Sequence, residues 1–295
     1  METCTRIAIR NVLFPTDFSG ESVQALDAIR RLHHHYQANV FVLHVLDLFP
    51  YALSSDPSAA TKRNELHETA CTRMREFAQA HQLKGQRYES AVLSGEICPV
   101  LEEFVNRHEI DLIVLGSRGD VGVSRLFNGS AAEEIFRSAH CPVMVVGPEA
   151  PGSTVNETFN HLLFATDLEH CSRAAIPYIE FLLRENPQAR LSLAHFVEHE
   201  PGSVHKRHML RRHVERELTE MIAPALRHQI EDVIVEFSSP RLGILEIAEN
   251  LKPDLLILGV RYGGAFTRAA THGLCNLTHQ VISHSPCPVL TVRSS

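Results

Sequence analysis

Gly116-Ser-Arg-Gly119, nine further residues, and Gly129-Ser130 form the pattern G-x2-G-x9-G-S, placed directly after the apolar run Asp111-Leu-Ile-Val-Leu115. Glycines at a strand end allow close backbone approach and tight turns. A helix beginning near Ser130 adds free N–H groups, a hydroxyl and a partial positive charge. Together they suit a phosphate chain. Arg118 and Arg125 lie in the same loop and offer charge-assisted contacts. A second unusual segment, Pro15-Thr16-Asp17, follows the apolar run at 11–14. A carboxylate there repels phosphate but suits ribose hydroxyls, an adenine amino group or a bridging magnesium ion. Val45, at the end of a second apolar run, offers backbone groups to a base edge.

Each residue also has a plain reading. Ser130-Ala-Ala-Glu133 is a capping box. Thr16 to Ser19 fits the N-cap of a first helix. A glycine pair after a strand is commonly only a turn. His44 and His195 stand in apolar runs and read as hydrogen-bonded core histidines. His33-His34-His35 reads as an exposed helix end, and Cys141-Pro and Cys287-Pro as the entry to a buried strand.

The elements that must position these residues occur twice. Asn11-Val-Leu-Phe-Pro-Thr-Asp17 matches His161-Leu-Leu-Phe-Ala-Thr-Asp167, and Val40-Phe-Val-Leu-His44-Val45 matches Leu191-Ser-Leu-Ala-His195-Phe196. Ile110-Asp-Leu-Ile-Val-Leu-Gly116 matches Pro253-Asp-Leu-Leu-Ile-Leu-Gly259, and His140-Cys-Pro-Val-Met-Val-Val146 matches Pro286-Cys-Pro-Val-Leu-Thr-Val292. A Pro- and Gly-rich stretch, 147–154, reads as a linker. The expected domains are 1–149 and 157–295. In the first copy, strands are expected near 11–15, 38–46, 86–93, 111–116 and 143–147. The intervening helices show three- and four-residue spacing, as in Leu66, Ala70, Met74, Phe77 and Ala78. At 204–221 a basic amphipathic helix is expected, with Met209, Val214 and Leu218 on its apolar face. Alternating strands and helices imply α/β architecture with a parallel sheet covered on both faces. Each copy is therefore read as a doubly wound, Rossmann-like domain of five strands in the order 3-2-1-4-5. In that order strands one and four border the crevice where ligands collect, so Pro15-Thr16-Asp17 and the glycine segment face one ligand.

Composition narrows the class. The 295 residues suffice for two cores, and 44% hydrophobic with 21% charged residues is a globular balance. A formal charge of −7 disfavours non-specific nucleic-acid binding. No apolar stretch approaches a membrane span, and Met1 to Arg10 carries no signal-like run. Seven cysteines without C-x2-C spacing fit neither a disulfide framework nor a zinc site. The expected location is the cytoplasm.

The two P/A-T-D segments, the L-H-V strand, G-x2-G-x9-G-S and the terminal C-P-V-x-V strand resemble a tandem universal stress protein, over essentially the whole chain. The resemblance implies a stress-response protein that binds ATP, usually with Mg2+. Pro15, Asp17 and Val45 would surround adenine and ribose, and Gly116, Gly119, Gly129 and Ser130 would hold the phosphates. Thr16 and Arg118, in the same two segments, are counted with them as cofactor-binding residues. The second copy departs from the pattern. Ala165 replaces Pro15, Phe196 replaces Val45, and Gly259-x3-Gly263-x9-Gly273 is followed by Leu274. Weak or absent nucleotide binding is expected there, and pairing with the first copy as a pseudo-dimer; a homodimer of such chains stays open.

A regulatory nucleotide-binding protein with an unidentified protein partner is the leading expectation. The alternatives are a slow ATPase or nucleotide-processing enzyme on the same fold, and a nucleotide-independent interaction module. Neither a Gly-x4-Gly-Lys-Ser/Thr segment nor a paired nucleophile and base accompanies the glycines, which weighs against an enzyme.

Overall fold

Backbone geometry follows the apolar pattern closely. The computed structural model describes residues 7–48, 57–83, 87–117, 135, 139–150, 158–198, 202–260 and 274–294. Ile9–Val143 form one compact unit and the chain from Met144 onward belongs to another, so compactness divides the strand at 143–146 after Val143.

In the first repeat the order is β1 (Asn11–Pro15), α1 (Gly20–Gln24), α2 (Leu26–Tyr36), β2 (Asn39–Leu46), α3 (Pro57–Ala80), β3 (Tyr88–Ser94), α4 (Ile97–Arg107), β4 (Leu112–Gly116) and β5 (Val143–Val146). The second has β6 (His161–Ala165), α5 (His170–Arg173), α6 (Ile176–Glu185), β7 (Arg190–Phe196), α7 (Val204–Met221), β8 (Ile230–Glu236), α8 (Pro240–Leu251), β9 (Leu255–Val260), α9 (Leu274–His284) and β10 (Val289–Arg293). Strand order is β3-β2-β1-β4-β5 along the first repeat and β8-β7-β6-β9-β10 along the second. The pairings β1–β2, β1–β4, β6–β7 and β6–β9 are all parallel. Parallel strands need crossovers, and the amphipathic helices supply them.

Central strands are buried on both faces. Val12, Leu13 and Phe14 have no exposed surface, nor do Leu162, Leu163 and Phe164. Apolar spacing in the helices converts to burial as expected for Ala70, Met74 and Phe77 in α3 and for Val214 and Leu218 in α7. Met209 departs from the expectation: it is 55% exposed. Residues 202–209 are all exposed, so no layer among the described residues covers Met209 in the first turns of α7.

One repeated carboxylate aligns each sheet. Asp111 Oδ2 accepts from the N–H groups of Arg10 and Asn11 (2.8 and 2.9 Å), and Asp254 Oδ2 accepts from Asn160 and His161 (2.9 and 3.0 Å). The same aspartates donate their own N–H to Asn11 and His161 carbonyls. The repeated Asp-Leu at the start of the fourth strand is thus a clamp that brings it beside the first. That adjacency also brings the carboxyl ends of the first and fourth strands side by side.

Candidate functional site

Where β1 ends, the chain turns on its own side chains. Thr16 is buried, and its N–H donates to the Leu43 carbonyl at 2.8 Å, continuing the pairing with β2. Thr16 Oγ1 accepts from the Phe18 N–H at 3.0 Å, and Asp17 Oδ1 from the Ser19 N–H at 3.0 Å. These contacts hold Phe18 at φ 63°, a left-handed conformation that a bulky residue rarely adopts unaided. Ser19 then caps α1, its hydroxyl accepting from the Ser22 N–H. The N-cap reading of this segment is therefore correct for Ser19.

Asp17 is exposed, yet one of its oxygens is committed. Oδ1 also accepts from the hydroxyls of Ser19 and Ser22, the latter at 2.7 Å. Partial burial pushes its pKa up, but hydrogen bonds from Ser19 and Ser22 outweigh it and hold the carboxyl below the usual value. An ionised, oriented carboxylate results.

His44 fixes the same loop from the neighbouring strand. Its Nδ1 lies 2.7 Å from the Thr16 carbonyl, which can only accept, so Nδ1 carries a proton. Phe18 stacks 4.4 Å from the His44 ring and packs on Phe77, with the Arg73 guanidinium 4.9 Å above it. Val45 lies two residues beyond Leu43, half-buried, paired with Leu93 of β3.

β4 brings Gly116 to this loop. Val12 pairs with Leu112 and Leu13 with Ile113, a register that sets Pro15 level with Leu115 and Thr16 level with Gly116. Of the expected site residues, Pro15, Thr16, Asp17, Val45 and Gly116 thus lie at the carboxyl ends of three adjacent strands. Arg118, Gly119, Gly129 and Ser130 lie outside the described residues. Ser117 is 3% exposed, and its hydroxyl has no hydrogen-bond partner among the described residues. Leaving such a group unpaired costs about 1–3 kcal/mol.

The second repeat rebuilds most of the first loop, with Glu169 in place of Ser19 and without its side-chain cap. Thr166 Oγ1 accepts from Leu168 N–H and Asp167 Oδ1 from Glu169 N–H, both at 3.0 Å. Leu168 has φ 65°. Ser172 Oγ donates to Asp167 Oδ1, and His195 Nδ1 reaches the Thr166 carbonyl at 2.9 Å. Both strand histidines are therefore satisfied structural groups. Phe196, which replaces Val45, is buried and packs on α8: a Cβ at Gly243 would lie 2.2 Å from its Cε1. At Gly259 a Cβ would lie 2.2 Å from Ser172 Cα and 2.9 Å from the Cys171 carbonyl oxygen. That glycine admits the backbone of α5. Gly116 stands at the matching position, where α1 packs on β4. In the second repeat the glycine at the end of the fourth strand therefore serves helix packing.

Sequence reasoning passed over Ser22 and Ser172. Each follows its aspartate by five residues, so comparing the two repeats column by column reveals them.

A family model described as the universal stress protein family matches residues 8–147 and again 158–293. A universal stress protein of Methanocaldococcus jannaschii is 28% identical over 138 residues, 46% of this chain and 81% of that protein. Universal stress protein A homolog 1 of Coxiella burnetii is 28% identical over 139 residues, 46% of this chain and 95% of its own length. The crystal structure of a universal stress protein from Archaeoglobus fulgidus is similar with a TM-score of 0.70, at 24% identity, covering 97% of this chain and 98% of that one. This last likeness concerns the fold and extends through both repeats.

Proposed function

The chain belongs to the universal stress protein family, with two copies in tandem, and on that premise we propose that its first repeat binds Mg-ATP as a regulatory ligand. The carrying observation is the Thr16-Asp17 loop, held level with Gly116 where the strand order reverses. Asp17 supplies an ionised carboxylate for ribose hydroxyls, and Val45 supplies backbone groups for the base edge. Gly116, Gly119, Gly129 and Ser130 supply phosphate contacts, with Arg118 adding charge. The orphaned hydroxyl of Ser117 fits this use, because a polar ligand group at the strand end would satisfy it. Mg2+ would accompany the phosphates and offset their charge.

Regulation rather than catalysis suits these groups. A carboxyl held below its ordinary pKa is a weak proton acceptor at neutral pH, so Asp17 makes a poor general base. His44 spends Nδ1 on the Thr16 carbonyl and supports the loop. Nucleotide occupancy would instead bias the loops at the crevice and, through them, a protein partner. Ala165 and Phe196 make the second repeat the weaker site. Native mass spectrometry of the purified chain tests the reading: one ATP per chain supports it, and an unliganded chain in excess Mg-ATP refutes it.

A further inference from the structure

The second repeat carries a polar cluster at the other end of its sheet, unconnected with the nucleotide reading. His161, Arg190 and Ile230 begin β6, β7 and β8. His161 pairs with Arg190, Leu163 with Ser192, and Ser192 with Asp232, so His161, Ser192 and Asp232 share one face of the sheet. Glu231 should point to the opposite face. A β-bulge changes that: Leu191 pairs with Ile230 but Ser192 with Asp232, leaving Glu231 as the extra residue. Bulges re-aim side chains in this way. His161 Nε2, a Glu231 oxygen and an Asp232 oxygen consequently lie within 4.8 Å of one another.

We propose that His161, Glu231 and Asp232 form a binding site for one divalent ion of the zinc class. Their chemistry is one imidazole and two carboxylates, a set that suits Zn2+ or Co2+ better than Mg2+, which takes oxygen ligands in an octahedron. Tetrahedral ligands about 2.1 Å from zinc stand about 3.4 Å apart. The His161 Nε2 to Glu231 Oε2 separation is 4.0 Å, so small side-chain rotations close the set. His161 is only 6% exposed, and Ser192, beside it, is fully buried. Ser192 Oγ donates to Asp232 Oδ2 at 3.1 Å and lies 2.9 Å from His161 Nε2. Metal entry exchanges the Nε2–H···Oγ bond for a metal–nitrogen bond, with the imidazole proton carried on Nδ1. Ser192 remains to orient Asp232. Arg190 Nη1 donates to both Glu231 oxygens at 2.6 and 2.7 Å. Glu231, Asp232 and the nearby Asp254 set three carboxylates around that one guanidinium, and they would offset part of a bound ion's charge. The first repeat has Asn11, Asn39 and Phe41 at the positions of His161, Arg190 and Ser192. The cluster is therefore a property of the second repeat and not of the fold.

The test uses the full chain freed of metal with a chelator and titrated with Co2+, followed by visible absorption and calorimetry. One Co2+ per chain, with the intense bands of four- or five-fold coordination, is expected. Zn2+ should displace it and excess Mg2+ should not. His161→Asn, which installs the residue of the first repeat, and Glu231→Gln should each weaken binding by about tenfold or more. Circular dichroism and melting temperature verify that both variants fold. Absence of binding in the wild-type chain overturns the proposal. So does undiminished binding in both folded variants, which would place the ion elsewhere, for instance at His33-His34-His35, and so does displacement by Mg2+.

Discussion

Gly259→Ala is the sharpest test of how the carboxyl end of the strands in the second repeat is built. The new Cβ would stand 2.2 Å from Ser172 Cα, against 3.4 Å for ordinary contact, so the backbone of α5 must retreat by about 1.2 Å. No flexible side-chain end can yield in its place. The same movement disturbs the Ser172 hydroxyl bonded to Asp167. Overpacking of this kind costs about 1–3 kcal/mol, less the fraction of a kcal/mol that alanine returns by restricting the unfolded chain. In a domain of this size the melting temperature should fall by roughly 5 °C. Scanning calorimetry measures the shift, with Gly202→Ala as control because nothing lies within 4 Å of a Cβ there. Gly259→Ala melting with the wild type would refute the packing role and return the glycine to a purely ligand-directed one.

Ser172→Ala should destabilise the second repeat by about 1–3 kcal/mol, since a charged acceptor loses its buried donor; urea titration reads it, and no change would remove the serine from the loop's support. Asp17 has a folded pKa below the ordinary 3.8, so its hydrogen bonds contribute stability above that value and lose it as pH falls through the folded one. Asp17→Asn should flatten that part of the acid titration, and an unchanged profile would deny the shift. Burial raises the Cys287 thiol to about 11, so native protein should resist iodoacetamide at this residue near neutral pH and react once unfolded. The native thiol keeps its proton while the unfolded one loses it above 9.0, so this contribution to stability is present below 9.0 and disappears as pH rises toward 11.

The repeats made much of the architecture legible. Matching apolar runs and crossover helices imply a parallel sheet, and the order 3-2-1-4-5 places Thr16 and Gly116 together. His44 and His195 were readable as satisfied histidines, because an isolated imidazole in an apolar strand needs a local acceptor. The break between α1 and α2 was not readable, since Ala25 is neither a glycine nor a proline. Neither was the left-handed backbone of Phe18 and Leu168, which the Thr and Asp side chains enforce against residue preference. Met209 matched the apolar period of α7 yet is exposed, because period defines a face without supplying a neighbour to cover it. The cluster of His161, Ser192, Glu231 and Asp232 depends on three strands and one bulge, so no local spacing announces it.

The nucleotide reading meets its most direct test in calorimetric titration of Mg-ATP into the whole chain, its Gly129→Val variant and its Asp167→Asn variant. One site per chain is expected in the wild type, unchanged by Asp167→Asn, with binding lost in Gly129→Val at an unaltered melting temperature. A wild-type chain that takes up no ATP, or a Gly129→Val chain that binds it undiminished, would contradict an ATP site in the first repeat.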